Sequence, residues 1–186
     1  MRIISGASRG LHLAPIGEGD AASHLRPTSD RVREAIFNLL INGGYGNPVQ
    51  GARVLDVFAG TGALGLEALS RGATYATFVE NGATALALLR RNIELMRAPD
   101  RCDVLRKDAT ALGINPAAPY DLIFLDPPYG KAMGEAALRA LAQNWLSPNA
   151  LIVWEESTHP TLPAGFNQLD QRKYGETRIT ILEVAQ

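Results

Sequence analysis

The sequence predicts an α/β fold in which a mostly parallel sheet carries helices on both faces. Two observations predict it: short apolar runs typical of buried strands alternate with segments of helical periodicity, and a Gly-rich turn joins the first such run to a helix. That run covers residues 54–58, breaks at Gly60-Thr61-Gly62, and is followed by a helical pattern over residues 63–71. Ligands of such sheets bind beyond the carboxyl ends of the strands, so we expect the functional site there.

The chain before this corner predicts a small extension. Residues 2–5 and 11–13 are strand-like pieces around Gly6 and Gly10, which indicates a hairpin, and residues 17–23 form a polar loop whose role stays open. A helix follows, because Ser29 or Asp30 can cap it and apolar residues recur at helical spacing: Val32, Ala35, Ile36, Leu39 and Leu40. We therefore divide the chain into an extension, residues 1–48, and a main domain, residues 49–186.

The rest of the chain continues the alternation. Helices are predicted at residues 83–96 and 131–144, and strands at residues 75–79, 102–105, 121–125 and 151–154. Residues 170–174 and 177–184 predict a closing antiparallel hairpin. Together with the first strand this gives a seven-stranded sheet, parallel except at one edge.

Composition limits the function classes. A net charge of −1 and a pI of 6.3 argue against strong non-specific attraction to naked nucleic acid. Cys102 is the single cysteine, and the three histidines are scattered along the chain, so we expect no internal disulfide and no metal site. No apolar run approaches the about 18 residues of a membrane span, and the N-terminus lacks the features of a signal peptide. We expect a cytoplasmic monomer that does not contact membranes.

The glycine pattern admits more than one ligand. Gly60-x-Gly62-x-x-Gly65, with Glu80 following 20 residues after Gly60, satisfies the dinucleotide fingerprint, and tight strand–helix packing alone would also explain it. Asp56 discriminates between ligands, because a carboxylate ahead of the turn is unfavourable for a pyrophosphate and suits a cation. S-adenosylmethionine carries a sulfonium and an ammonium, so this corner indicates a methyl-donor site.

Acidic residues follow several of the predicted strands: Asp56, Glu80, Asp108 and Asp126. Each alone could be a helix cap or a turn former, but as a set they indicate a site at one edge of the sheet. Asp126 opens the segment Asp126-Pro127-Pro128-Tyr129, whose prolines fix φ and donate no N–H.

This proline segment offers hydrogen-bond acceptors and an aromatic face, which suits the amine of a planar base. Bonds from the amine to Asp126 and to the Pro127 carbonyl would orient it, and a base stacked on Tyr129 would gain about 1–3 kcal/mol. The alternatives are a rigid turn or a polyproline ligand for another domain. The motif alone permits adenine N6, cytosine N4, guanine N2 or a protein glutamine amide as the methyl acceptor.

The two motifs together resemble the class I S-adenosylmethionine-dependent amino-methyltransferases, which have a Rossmann-like fold. The stretch Leu-Arg-Pro-Thr-Ser-Asp-Arg-Val-Arg-Glu-Ala-Ile-Phe-Asn at residues 25–38, with Arg-Ile-Ile-Ser-Gly at residues 2–6 and Arg9-Gly10, looks like the RsmD family. The resemblance implies methylation of the N2 amine of one guanine, position 966, in bacterial 16S rRNA. It also implies the small ribosomal subunit or an assembly intermediate as partner and an extension that faces the RNA.

The resemblance implies a role for each matching residue. Gly60 and Gly62 would contact the methionine part of the cofactor, Asp56 its amino group, Glu80 the ribose and Asp108 the adenine; further cofactor-binding positions are Phe58, Thr61, Asn81 and Ala109. Asp126, Pro127 and Tyr129 would be catalytic, and Arg26, Thr28 and Pro128 would contact the substrate. A non-catalytic RNA-binding assembly factor and an NAD-dependent oxidoreductase are the alternatives from other classes.

Overall fold

A single mixed sheet forms the centre of the protein. The computed structural model describes residues 1–15 and 29–185, and within these ranges the strands are β1 (Arg53–Val57), β2 (Tyr75–Glu80), β3 (Cys102–Arg106), β4 (Tyr120–Leu125), β5 (Leu146–Glu156), β6 (Phe166–Tyr174) and β7 (Thr177–Val184). Their order is β3-β2-β1-β4-β5-β7-β6. The first five strands are parallel, and β7 is antiparallel to both β5 and β6. The predicted fold class is confirmed.

Helices cover both faces of the sheet: α1 (Asp30–Asn42), α2 (Ala63–Ser70), α3 (Ala83–Leu95) and α4 (Met133–Leu141). Successive strand residues point to opposite faces, so Val54 belongs to a core with α1, α2 and α3, whereas Leu55 belongs to a core with α4. Among the described residues, no helix is long and apolar enough to cross a membrane.

Helix α1 shares its core with the sheet. The Ser29 hydroxyl caps it by accepting a hydrogen bond from the Val32 N–H at 3.3 Å. Phe37, which is fully buried, contacts Phe124 of β4 with ring centroids 5.5 Å apart. The division at residues 48 and 49 stays a prediction, but the helix on its N-terminal side packs directly on the sheet.

Buried charges fasten the N-terminal segment, residues 1–15, to α1 and α2. The Glu67 carboxylate is fully buried and accepts hydrogen bonds from the Ile4 N–H (2.8 Å), the Ser5 N–H (3.0 Å) and the Arg71 guanidinium (2.7 Å). The fully buried Arg33 lies 3.8 Å from the same carboxylate. Because a lone buried charge is costly, this cluster holds the segment and both helices in one arrangement.

Some boundaries differ from the predictions. The N-terminal hairpin is shorter than predicted: besides the bridge between Arg2 and His12, its two sides are joined by bonds such as that from the Ile3 N–H to the Leu11 carbonyl at 2.9 Å. The Ala7 N–H in its turn donates to the Ser70 carbonyl at the end of α2 at 2.8 Å. Helix α4 is shorter than predicted, since Ala132 has a left-handed φ of 52° and helical geometry begins only after it. Strand β5 starts earlier than predicted, because Leu146 already pairs with Tyr120.

Candidate functional site

Two loops leave the sheet side by side where the strand order reverses. Val57 at the end of β1 pairs with Leu125 at the end of β4. The Asp126 N–H donates to the Val57 carbonyl at 3.3 Å and extends this pairing beyond the strands. The glycine loop, residues 58–62, and the proline loop, residues 126–130, therefore emerge together at the topological switch point, where open α/β sheets bind ligands.

The glycine loop is held in an unusual backbone conformation. Phe58, Gly60 and Gly62 all have positive φ, at 61°, 54° and 78°. For a residue with a side chain, such as Phe58, this costs about 1–3 kcal/mol and persists only where the surroundings enforce it. The Ala59 N–H donates to the Val79 carbonyl of β2 at 3.0 Å, which fixes the loop across the neighbouring strand.

Asp56 lies beneath the glycine loop and caps α2. Its side chain is 2% exposed, and Oδ2 accepts a hydrogen bond from the Gly65 N–H at 2.8 Å. Burial raises the pKa of this carboxyl to about 7; the Gly65 N–H opposes the rise, and the charge of Glu80 adds to it. A pyrophosphate would need this helix N-terminus for its own charge, so the capping carboxylate disfavours a dinucleotide and favours a cationic ligand.

The third glycine of the fingerprint serves packing. A Cβ added to Gly65 would lie 2.5 Å from Phe78 Cε1 and 3.1 Å from Asp56 Oδ2. A Cβ on Gly62 would lie 2.4 Å from Leu89 Cδ1. Both glycines therefore let α2 approach β2 and α3 closely, and this approach brings the Gly65 N–H onto Asp56.

Glu80 at the end of β2 organises the backbone on two sides. Its Oε2 accepts from the Gly60 N–H at 2.8 Å, and its Oε1 accepts from the N–H groups of Asn81 (2.8 Å) and Gly82 (2.7 Å). A carboxylate offers about four acceptor positions, so these bonds leave one on Oε2 for a ligand hydroxyl. Asn81 itself is exposed beside this carboxylate.

The residues after β3 form a capped turn. Asp108 Oδ1 accepts from the Thr110 N–H at 2.8 Å and from the Thr110 hydroxyl at 2.7 Å. These bonds lower the pKa of the exposed Asp108 carboxyl. Ala109 is buried in the core with α4. The turn thus presents a charged acceptor at the end of β3 on a short 3-10 helix, Ala109–Ala111.

The proline loop is anchored through its tyrosine. Pro127 is buried, Pro128 is exposed, and the half-buried Tyr129 donates its hydroxyl to Glu155 Oε1 at 2.7 Å. The same hydroxyl lies 3.3 Å from the Thr177 hydroxyl. Burial raises the pKa of the Tyr129 phenol; Thr177 opposes this and Glu155 adds to it. Strands β5 and β7 therefore fix the ring, and the phenol stays protonated.

Sequence reasoning missed Glu155. It is 6% exposed near the end of β5, and the one signal was a pair of acids, Glu155-Glu156, closing an apolar run. The predicted substrate contacts Arg26 and Thr28, and the loop at residues 17–23, lie outside the described residues. Within the described ranges no group of His, Cys, Asp and Glu side chains is arranged to hold a metal ion.

Comparison with known proteins decides the family. The family model described as conserved hypothetical protein 95 matches residues 1–183. Ribosomal RNA small subunit methyltransferase D of Escherichia coli K12 is 36% identical over 180 residues, 95% of this chain and 86% of that protein. This chain belongs to the RsmD family.

Two further comparisons support RsmD-family membership. The protein of the same name from Haemophilus influenzae is 35% identical over 181 residues, 94% of this chain and 89% of that protein. The solved structure of yhhF from Escherichia coli matches with a TM-score of 0.80 and 34% identity, over 99% of this chain and 97% of that one. The resemblance drawn from residues 25–38 and the two site motifs is therefore confirmed, and the RsmD match includes both loops.

Proposed function

We propose that this RsmD-family chain transfers a methyl group from S-adenosylmethionine to the exocyclic N2 amine of one guanine in 16S rRNA. The substrate is the small ribosomal subunit or an assembly intermediate in the cytoplasm. The observation that carries the proposal is that the glycine loop and the acceptor-rich proline loop leave the sheet side by side. The hydrogen bond from the Asp126 N–H to the Val57 carbonyl joins them. Its relatives named small subunit rRNA methyltransferases support the RNA substrate.

The carboxylates around the glycine loop fit S-adenosylmethionine. Asp56 supplies negative charge beneath the loop for the cationic methionine part, Glu80 keeps one acceptor position for a ribose hydroxyl, and Asp108 presents a carboxylate for the adenine amine. The remaining residues of this site are Phe58, Gly60, Thr61, Gly62, Asn81 and Ala109. When bound, the cofactor supplies an electrophilic methyl group on a good leaving group.

The proline loop prepares the accepting amine. The lone pair of an exocyclic amine is conjugated with the base, which makes it a poor nucleophile. Hydrogen bonds from its two hydrogens to the Asp126 carboxylate and the Pro127 carbonyl hold it in the pyramidal form, with the lone pair toward the methyl group. Asp126 then accepts the proton that the methylated amine loses. Positioning supplies much of the rate enhancement.

Tyr129 holds the base in this position. Its ring offers a stacking surface worth about 1–3 kcal/mol, and the bonds of its hydroxyl to Glu155 and Thr177 keep the ring from turning away. Pro128 is exposed at the mouth of the loop. Arg26, Thr28 and Pro128 are the proposed contacts to RNA.

A methyl-transfer assay tests the proposal. Labelled S-adenosylmethionine is offered with small subunits from a strain that lacks this protein, or with naked 16S rRNA, and the product nucleoside is identified by mass spectrometry. We expect N2-methylguanosine. A methylated adenine, a methylated cytosine or label in protein alone would contradict the proposed acceptor.

A calorimetric titration separates the cofactors. S-adenosylhomocysteine should bind the purified protein, whereas NAD should not, because Asp56 already caps the helix that a pyrophosphate needs. Binding of NAD with no binding of S-adenosylhomocysteine would overturn the methyl-donor site and leave an oxidoreductase as the better interpretation.

A further inference from the structure

One buried amide joins the N-terminal segment to the glycine loop. Asn92 of α3 is fully buried. Its Oδ1 accepts a hydrogen bond from the Ala14 N–H at 2.7 Å, and its Nδ2 donates to the Thr61 carbonyl at 2.9 Å. Both partners are backbone groups, so the link does not depend on the side chains at those positions.

The position of Asn92 makes this link specific. It lies on the buried side of α3, between Leu89 and Ile93, where an apolar residue would satisfy the core. A buried amide is unfavourable unless it is hydrogen-bonded. The two bonds to Ala14 and Thr61 are therefore what an asparagine provides here and a leucine does not.

The other strong contacts of the N-terminal segment are made elsewhere. Ser70, at the opposite end of α2 from the glycine loop, accepts at its Oγ from the Ser8 N–H (2.9 Å) and donates to the Ser5 carbonyl (2.6 Å). Thr61 itself makes a weak contact, with its hydroxyl 3.9 Å from the Met1 sulfur. Asn92 is thus the strong link to the glycine loop among the described contacts, and it holds the end of the segment from which the chain continues toward residues 16–28.

We propose that Asn92 is a positioning residue that transmits occupancy of the glycine loop to the N-terminal segment. The proposal rests on the proposed function, because it takes the glycine loop as the methionine-binding element and Arg26, which follows the segment in the sequence, as a substrate contact. The amide group is planar and rigid, so its donor and its acceptor move together. While both bonds hold, a ligand that displaces the Thr61 carbonyl shifts the amide and with it the acceptor of the Ala14 N–H.

Hydrogen–deuterium exchange tests the proposal without RNA and without turnover. The probe is S-adenosylhomocysteine, and the peptides followed are residues 1–15 and 58–66. In the unsubstituted protein the ligand should slow exchange about fivefold or more in both peptides, in the range of ordinary coupling between sites. In Asn92→Ala and in the near-isosteric Asn92→Leu, slowing should persist in residues 58–66 and be absent from residues 1–15.

Ser70→Ala is the matched control. It loosens the N-terminal segment at its other attachment and leaves the Asn92 bonds intact, so its residues 1–15 should still respond to ligand. If ligand still slowed exchange in residues 1–15 of the Asn92 variants, the assignment would be overturned. Loss of that slowing in Ser70→Ala would overturn it as well. Slowing in residues 58–66 but not in 1–15 of the unsubstituted protein would overturn it too, whatever the variants do. No slowing in either peptide would instead refute the proposed cofactor.

Discussion

Replacing Asp56 by asparagine should stabilise the ligand-free protein at pH 8 and weaken cofactor binding. Asparagine keeps the size of the side chain and an oxygen that can accept from the Gly65 N–H. It removes the charge that burial opposes, since Asp56 is 2% exposed and its pKa is raised from 3.8 to about 7. The same charge is the one we assign to the cationic cofactor, so stability and binding should change in opposite directions.

The size of the effect follows from the pKa of Asp56 in the two states. Each pKa unit corresponds to about 1.36 kcal/mol, so the difference between 3.8 and about 7 corresponds to about 4 kcal/mol. The folded protein retains a proton that the unfolded chain releases. The resulting stabilisation is complete below pH 3.8, declines as the pH rises, and is lost above pH 7. Asparagine does not titrate and removes this decline.

Urea unfolding at pH 5 and pH 8 measures the prediction. The free energy of unfolding of Asp56→Asn minus that of the unsubstituted protein should increase by about 3 kcal/mol between the two pH values. Asp100→Asn, an exposed substitution away from the glycine loop, is the control and should show no such increase. Calorimetry with S-adenosylhomocysteine should show weaker binding to Asp56→Asn. If the difference in free energy of unfolding between Asp56→Asn and the unsubstituted protein were the same at pH 5 and at pH 8, the reasoning would be refuted.

Three further substitutions test the buried network, the packing and the proline loop. Glu67→Gln should lower the free energy of unfolding by about 3–5 kcal/mol in urea, because it removes the buried charge that faces Arg33 and Arg71. Gly65→Ala should lower it by about 1–3 kcal/mol, since the new Cβ would lie 2.5 Å from Phe78 Cε1. Tyr129→Phe should lower kcat for methyl transfer about ten- to hundredfold with little change in cofactor affinity, because the ring loses its bond to Glu155.

Each of these substitutions has a control or a contradicting outcome. Glu94→Gln disrupts the exposed ion pair with Arg91 and should change the free energy of unfolding by no more than about 1 kcal/mol. If Glu67→Gln lowered the free energy of unfolding by no more than Glu94→Gln does, the buried network would not be stabilising. Gly65→Ala with unchanged stability would mean that α2 and β2 can separate at no cost. Unchanged kcat in Tyr129→Phe would remove the role of the hydroxyl anchor.

Much of the fold was predictable because it is local in the sequence. Short apolar runs predict the strands, and apolar residues at helical spacing predict the helices between them. Because β1, β2, β3 and β4 are parallel, the acids at or after their carboxyl ends lie near one edge of the sheet: Asp56, Glu80, Asp108 and Asp126. The start of α4 was not predictable, since Ala132 adopts a left-handed φ that no preference of alanine indicates.

The supporting contacts of the site were not predictable from the sequence. Glu155 meets Tyr129 only because β5 lies between β4 and β7, and Asn92 meets Ala14 across 78 positions of the chain. Polar residues in apolar stripes are a general signal of such contacts, but their partners depend on the tertiary arrangement. The same holds for Glu80, whose three backbone bonds join loops that follow different strands.

The most direct test of the central claim is the single-turnover rate constant of methyl transfer to small subunits by Asp126→Ala, compared with the unsubstituted protein at saturating S-adenosylmethionine. We expect the rate constant to fall by about 10²–10⁴-fold, the usual loss when a proton-accepting group is removed, while cofactor affinity stays the same. A rate constant within threefold of the unsubstituted value would contradict the proposal that Asp126 prepares the accepting amine.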